Sequence, residues 1–238
     1  MAKKNIEDVV EIKNVNYGLL PFRIVGDSPL LVHHWSAKNK SMLNAAQVEE
    51  STNKKKDISK KKEYPSRMES FIESMYWIKG KPTKYTEKAF DESVENGAEW
   101  GFKAEAFKAA AMRGAMAKKW IKDKVNHYGI FYVEADCIDA EQNQLVRIKG
   151  DTPVCNEAIV RLGGQSRVPD IRWRGMFLNW YVDIVVKYDV DGVFSAQDIL
   201  NIFNAGGSYA GVGEYRPEKG GQYGMFHVEP LDSLPGKS

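Results

Sequence analysis

The chain is short of cysteine and has no long apolar run, and each of these shortages excludes a class of protein. Its 238 residues include two cysteines, Cys137 and Cys155, which are too few and too far apart for a disulfide framework or a zinc site. No run approaches the roughly 18 apolar residues of a membrane helix. No apolar signal-peptide core follows residues 1–5. We therefore expect a cytoplasmic protein with no membrane partner.

Catalytic signatures are scarce as well. The sequence contains no P-loop, no Gly-x-Ser-x-Gly motif and no His-Glu-x-x-His motif, and no acidic cluster suggests a metal. His33 and His34 are weak catalytic candidates, because histidine suits general acid–base work near neutral pH. At a strand end their side chains point to opposite faces, so at most one reaches a given site. We expect a protein that is not an enzyme and uses no cofactor and no metal.

The distribution of charge is more informative than the total. The net charge is +2, and 43% hydrophobic with 28% charged residues is ordinary for a soluble globular protein. Basic residues nevertheless cluster: residues 38–67 hold nine Lys or Arg against four acids, and residues 161–174 hold four arginines against Asp170 alone. Local patches of this kind attract phosphate backbones.

Hydrophobic periodicity divides the chain into strand-like and helix-like segments. Residues 18–32 predict a strand pair or one bent strand around a turn at 26–29. The clearest helix covers residues 103–122, with a stripe of small residues and several lysines. The later patterns predict a hairpin of strands at 129–138 and 145–149, a long strand at 176–188, a helix at 196–204 that Gly206 ends, and a strand at 223–228.

This order of elements is close to the βαββαβ scheme of ferredoxin-like and RRM-like domains. We therefore predict a single α+β domain with an antiparallel sheet backed by helices. The lysine-rich residues 36–96 would form a long basic insertion after the first strand, partly mobile because residues 36–66 have too few apolar side chains to form a core. Residues 229–238 would be a flexible tail.

The segment at 206–224 is the most unusual in the chain. It holds seven glycines together with Tyr209, Tyr215, Tyr223, Arg216 and Lys219. Such glycine density is expected where the backbone needs positive φ or close approach to another backbone or a ligand. We interpret the segment as a binding loop that is held by a helix before it and a strand after it. The alternative is a long, well-turned connection without a ligand.

Three short stretches resemble the RAMP superfamily, which includes the backbone subunits of CRISPR effector complexes. Residues 107–113 resemble the family's Lys-Gly-Ala-hydrophobic-Arg run, although Phe-Lys-Ala-Glu precedes them in place of a Pro/Ser-rich turn. Residues 211–226 resemble its C-terminal glycine-rich loop, and residues 28–31 match a Ser-Pro-Leu-Leu run. The chain is also similar to a group of phage-encoded proteins with Arg-Trp-Arg and Gly-Glu-Tyr-Arg-Pro-Glu-Lys-Gly-Gly segments. These resemblances imply an RRM-like domain that binds single-stranded RNA, in the host cytoplasm if the protein is phage-encoded.

Binding of a single strand needs cations along a groove and aromatic or guanidinium planes on which bases stack. The first helix and two predicted loops offer such side chains: Lys108, Arg113, Arg161, Arg167, Arg172, Trp173, Arg174, Tyr209, Tyr215, Arg216, Lys219 and Tyr223. The alternative is that Trp173 is core and that Arg172 and Arg174 pair with Asp170 or Glu214. We predict a largely sequence-independent binder of single-stranded RNA or DNA that forms a homo-oligomer or filament along the strand.

Two other functions stay open. The resemblance also implies a possible function as a metal-independent endoribonuclease of the CRISPR-processing type. In that case His33 or His34 would assist cleavage of RNA by its own 2′-hydroxyl. A phage scaffold or inhibitor that binds a host or CRISPR protein would use the lysine-rich segment as its contact arm. Salt dependence separates the protein-binding alternative from the nucleic-acid binder, because binding to nucleic acid weakens steeply as salt rises.

Overall fold

The described part of the protein is a mixed α+β structure with antiparallel sheets, which confirms the predicted class. The computed structural model describes residues 14–34, 65–123, 127–161 and 169–231, and the side chains of residues 161 and 169 are outside this description. The four α-helices there are α1 (Arg67–Glu73), α2 (Glu87–Glu95), α3 (Ala104–Ala117) and α4 (Ala196–Tyr209). None of them has the length and apolar character required to cross a bilayer.

The larger sheet has eight strands, and each paired strand runs antiparallel to its partner. They are β1 (Tyr17–Gly26), β3 (Tyr76–Lys79), β4 (Glu99–Lys103), β5 (Phe131–Val133), β6 (Cys137–Ile138), β7 (Gln144–Gly150), β10 (Trp180–Asp189) and β11 (Phe226–Pro230). The order along the sheet is β11-β1-β10-β7-β4-β3, with β5 beside β10 and β6 beside β7. The predicted hairpin is therefore present between β6 and β7, whereas β5 pairs with β10 instead.

Alternation in β1 and β10 sets which face of the larger sheet is buried. Phe22 and Ile24 of β1 are fully buried, and Phe22 lies opposite Ile184 of β10 in the register. The intervening Arg23 lies opposite Asp183 and faces the other side. The helices α3 and α4 cover the apolar face, where the Phe22 and Phe203 rings meet edge to face at 5.0 Å.

The contact between α3 and α4 depends on residues without bulky side chains. A Cβ added at Gly114 would overlap the backbone of Gly206, and one added at Gly206 would lie 2.7 Å from Cα of Ala111. The prediction that α4 ends at Gly206 is wrong, because the helix continues to Tyr209. Gly206 serves close packing of two helices instead of ending one. Part of the glycine-rich segment is therefore helical.

A second, three-stranded sheet has the order β2-β9-β8. Its strands are β2 (Leu30–Val32), β8 (Val154–Arg161) and β9 (Pro169–Phe177). The predicted long strand at 176–188 is wrong, since residues 176–177 belong to β9, and residues 180–188 belong to β10 of the larger sheet. The Trp180 indole at the start of β10 donates to the Ser28 carbonyl at 2.9 Å, which holds that end against the β1–β2 turn.

The described part of the predicted insertion is built into the fold. Residues 65–96 contain α1, β3 and α2, and β3 pairs with β4 at the edge of the larger sheet. The lysine runs and the rest of residues 36–64 lie outside the described residues. At the other end, Glu229 and Pro230 pair with Arg23 and Phe22 in β11, so residues 229–230 are not part of a free tail. Residues 232–238 are not described.

Candidate nucleic-acid interface

The glycine-rich loop after α4 is held in place by the first two strands. The Glu214 amide donates to the Leu31 carbonyl at 2.9 Å, and the Gly224 amide donates to the Pro29 carbonyl at 2.8 Å. Gly213 has φ +78°, and a Cβ there would lie 2.5 Å from the Leu31 oxygen, so this approach requires glycine. The expectation that the segment is fixed at both ends and needs glycine for positive φ is confirmed for residues 211–224.

A cleft of about 240 Å³ lies between this loop and α3, and we call it the loop cleft. Its polar lining residues are His33, Tyr76, Arg113, Glu214, Arg216 and Glu218, and α3 contributes alanine side chains to the wall. The small residues that let α3 approach α4 thus also leave space beside the loop. Burial raises the pKa of Tyr76 to about 12, so this hydroxyl stays protonated and can donate a hydrogen bond at neutral pH.

Glu218 joins two of the predicted cations across the loop cleft. Its carboxylate contacts the Arg113 guanidinium and accepts from Nε and Nη2 of Arg216 at 3.1 and 3.0 Å. Arg216 also donates through Nη1 to the Gly213 carbonyl at 2.9 Å. The structure therefore brings Arg113 and Arg216 together, as the sequence predicts, and places an acidic side chain between them.

Arg172, Trp173 and Arg174 lie in the strand β9, so the prediction that a loop carries them is wrong. Successive residues of a strand point to opposite faces, and the Trp173 indole donates to the Glu157 carboxylate at 2.9 Å on the face away from Arg174. Arg172 Nε lies 3.4 Å from Asp170. The alternative in which Arg172 pairs with Asp170 and Arg174 with Glu214 thus describes both arginines correctly, whereas Trp173 is not part of the buried core.

Arg174 is the exceptional member of this group because it is a buried cation. It is 1% exposed, its Nη1 lies 3.7 Å from the Glu214 carboxylate, and its Cζ lies 5.2 Å from the centre of the Tyr215 ring. Tyr215 itself is 41% exposed and has φ +50°, a left-handed conformation that is uncommon for a bulky residue. The ring therefore covers a charged group at the protein surface.

The remaining predicted residues divide between this region and other surfaces. Lys219 is exposed at the end of a short 3₁₀ turn (Pro217–Lys219) in the same loop, and Tyr223 donates its amide to the Tyr215 carbonyl at 3.1 Å. Lys108 is engaged elsewhere, with Nζ donating to the Tyr128 carbonyl at 2.7 Å. The Tyr209 ring lies 5.0 Å from Lys118 Nζ. Arg167 and the Arg161 side chain lie outside the described residues.

The two adjacent histidines have different surroundings. His33 lines the loop cleft, and burial lowers its pKa; Glu214 opposes this shift, while the charges of Arg172 and Arg174 add to it. It is therefore neutral at pH 7. His34 Nε2 lies 3.0 Å from the Glu141 carboxylate, outside the cleft lining. This agrees with the expectation that one histidine of the pair at most can reach a site.

Sequence reasoning missed a second cleft, which Tyr215 lines. It has a volume of about 450 Å³ and lies between β8 and the glycine-rich loop, and we call it the sheet cleft. Asn156 and Gln222 contribute amides, and Tyr215 and Tyr223 contribute aromatic rings. Asn156 carries no recognisable sequence signal, because its place in the cleft follows from the pairing of β8 with β9.

The open face of the larger sheet carries another polar group that the sequence does not reveal. Asp183 accepts from Arg23 at 2.6 and 3.0 Å and from Lys149 at 2.9 Å, and Arg23 lies 4.3 Å from the centre of the Tyr181 ring. Burial works against ionisation of Asp183, but the hydrogen bonds from Arg23 and Lys149 outweigh it and lower the pKa. Two cations thus share one carboxylate on this face, as Arg113 and Arg216 share Glu218 in the loop cleft.

Comparison with protein-family models and with curated proteins yields no match to this chain. Among the described residues, no three His, Cys, Asp or Glu side chains are grouped so that they would hold a metal ion.

Proposed function

We propose that the protein is a non-catalytic binder of single-stranded nucleic acid, built on a ferredoxin-like βαββαβ core. Support for the core is the central strand order β11-β1-β10-β7, with α3 in the connection from β1 to β7 and α4 in the connection from β10 to β11. This is the order that a βαββαβ chain adopts when each crossover places one strand between two others. The resemblance to the RAMP superfamily agrees with this scheme.

The observation that carries the proposal is the convergence of three arginines from three distant segments. Arg113 and Arg216 meet at Glu218 in the loop cleft, and Arg174 meets Glu214 at its edge. Guanidinium groups bind phosphate oxygens through paired donors, and the exposed Tyr215 beside them offers a plane for a base.

The carboxylates in the cleft shape how a strand would bind. Glu218 occupies donors of Arg113 and Arg216 that a phosphate would use, so a phosphate there must replace this carboxylate as their partner. Backbone contacts of this kind do not read sequence. The affinity therefore depends on the number of phosphates contacted and on salt, and neighbouring copies of the protein can bind along one strand.

The experiment is fluorescence anisotropy with matched RNA and DNA oligonucleotides at two salt concentrations. The double variant Arg113→Gln, Lys219→Gln is expected to weaken binding about tenfold or more and to lower the salt slope by roughly one to two, since each lost phosphate contact removes close to one unit. The matched control is Arg67→Gln, Lys88→Gln on α1 and α2, which removes two exposed cations that are not in the loop cleft lining.

The outcomes separate the proposal from its alternatives. Failure of the wild-type protein to bind either oligonucleotide at low salt contradicts it and favours a protein partner. An equal loss in the control means that total charge, not the loop cleft, governs binding. The neutral His33 in the cleft favours an endoribonuclease as the second candidate, and that reading requires metal-independent RNA cleavage that His33→Ala abolishes while binding persists.

A further inference from the structure

Three polar side chains form one row across the smaller sheet. Asn156 of β8 lies directly opposite Arg174 of β9. Val32 of β2 lies opposite Gly175, so one step further along the same register His33 faces Arg174 from the other side. Directly opposite residues of an antiparallel pair point to the same face. The row His33–Arg174–Asn156 therefore faces the glycine-rich loop.

The row carries buried polar atoms that have no partner in the described part of the chain. These atoms are Nδ1 of His33, Oδ1 of Asn156, and Nε and Nη2 of Arg174. Buried donors and acceptors are almost always hydrogen-bonded in native proteins, and a charged donor is the most costly to leave unsatisfied. Arg174 contacts Glu214 through Nη1 alone, so its Nε–Nη2 edge remains for a ligand.

The sheet cleft has the size and lining for a planar ligand beside this row. Its volume of about 450 Å³ is within the range of small-molecule sites. Leu31 and Ala158 supply apolar wall, Tyr215 and Tyr223 supply rings, and Asn156 reaches the cleft from the row. The Tyr215 ring lines the cleft, lies 5.2 Å from Arg174 Cζ and is 41% exposed, so it has room to turn outward.

We propose that the sheet cleft takes one base of the bound strand and selects guanine or cytosine over adenine and uracil. The Tyr215 ring moves away from Arg174 and stacks on the base. The edge of that base forms hydrogen bonds with Arg174 and Asn156. This inference rests on the proposed function and deepens it, because it adds a reading of one base to contacts that otherwise ignore sequence.

The order of donors and acceptors carries the selectivity. The free edge of Arg174 offers two donors side by side, and Asn156 beside it offers an acceptor. The complementary base edge has two neighbouring acceptors followed by a donor. Guanine presents N7, O6 and N1–H in that order, and cytosine presents O2, N3 and its amino group. Adenine and uracil alternate acceptor, donor and acceptor, so two of the three contacts are mismatched.

A phosphate in the same position is the main competing explanation. The two donors of Arg174 would suit two phosphate oxygens, but the Asn156 oxygen would then face another acceptor, and the Glu214 carboxylate lies 3.7 Å from the same guanidinium. Because the row presents both donors and an acceptor, it favours a base edge over an anion.

The test uses RNA nonamers of uracil in which the central base is uracil, adenine, guanine or cytosine. The wild-type protein is expected to bind the guanine and cytosine nonamers about tenfold more tightly than the other two, since a good bidentate contact discriminates by this order. Asn156→Ala is expected to reduce the preference, because it removes the acceptor that would meet guanine N1–H or the cytosine amino group. Asn201→Ala, at an exposed site on α4, is the control and should retain the preference.

The possible failures are distinguishable. If all four nonamers bind equally well, the base pocket is wrong while the proposed function stands. If none binds, the proposed function is wrong, and the base-pocket proposal is wrong as well. The site would be assigned to phosphate, and the base pocket would be wrong, if two results occur together. All four nonamers would bind equally well, and inorganic phosphate would compete with them for the wild-type protein but not for Arg174→Lys. Thermal unfolding of each variant shows whether it is folded.

Discussion

At the scale of single residues, acidic side chains form ion pairs with the arginines that were predicted to bind nucleic acid. Glu218 bridges Arg113 and Arg216, and Glu214 lies beside Arg174. A list of cations from the sequence overstates the positive charge that a ligand meets. The local charge depends on which acids fold next to them, and a nucleic acid must compete with these acids.

Glu218→Gln is expected to strengthen binding of a single-stranded oligonucleotide. The change keeps the shape of the side chain, removes the competing anion and leaves two guanidinium groups for phosphate. We expect affinity to rise about three- to tenfold and the salt slope to become steeper by up to about one unit. The measurement is anisotropy at low and moderate salt, with Glu92→Gln on α2 as the control. Weaker binding by Glu218→Gln would show that Glu218 serves the site by holding the loop.

At the scale of elements, the contact between α3 and α4 decides where the loop cleft lies. Gly114, Ala111 and Gly206 allow the two helix backbones to approach closely. Gly114 and Ala111 belong to the stripe of small residues in α3, and they face α4. The glycine-rich loop begins directly after α4, so this packing also positions the loop beside Arg113.

Gly114→Ala is expected to destabilise the protein by about 1–3 kcal/mol. The added methyl group meets the Gly206 backbone, and overpacking of this kind outweighs the gain of about 1 kcal/mol in helix propensity. Urea unfolding should show a lower midpoint with an unchanged slope. Gly129→Ala is the control, since the atom nearest to its new Cβ is the Tyr132 hydroxyl at 3.8 Å. An unchanged midpoint for Gly114→Ala would mean that the helices separate without cost.

At the scale of the whole molecule, the beginning and end of the described chain meet in the sheet. Strand β11 pairs with β1, and the His227 ring lies 2.6 Å from the Asp27 carboxylate and 3.5 Å from Glu229. The hydrogen bond to Asp27 is the main cause that raises the pKa of His227, while partial burial opposes it. A proton on this ring therefore binds more tightly to the folded protein than to the unfolded chain.

The pH dependence of stability follows from this sign. The His227 contribution is fully present below the ordinary pKa of 6.5 and is lost as pH rises through the raised folded value. Because the ring is half-exposed, we expect less than about 1 kcal/mol. The thermal midpoint of the wild type minus that of His227→Gln should be larger at pH 5.5 than at pH 8.5. A difference that grows with pH would contradict this assignment, and the subtraction removes the opposite contribution of His33.

Several features were predictable because they depend on residues close in sequence. The α+β class, the strand character of β1 and β10, and the core of α3 follow from local periodicity. The positive-φ glycines after α4 and the separation of His33 from His34 follow from backbone rules. The predicted order of strands and helices placed Arg113 and Arg216 on one face. It did not predict that Glu218 forms ion pairs with both.

Local patterns thus established which residues alternate, which turn and where glycine is required, since these depend on near neighbours. Long-range packing established that residues 176–188 divide between two sheets, that α4 passes through Gly206, and that Arg172 and Trp173 point to opposite sides of a strand. It also established the row His33–Arg174–Asn156, in which Arg174 and Asn156 lie in two strands and His33 directly follows a third. Strand register and helix contacts join distant residues, and the energies that select them are absent from any local pattern.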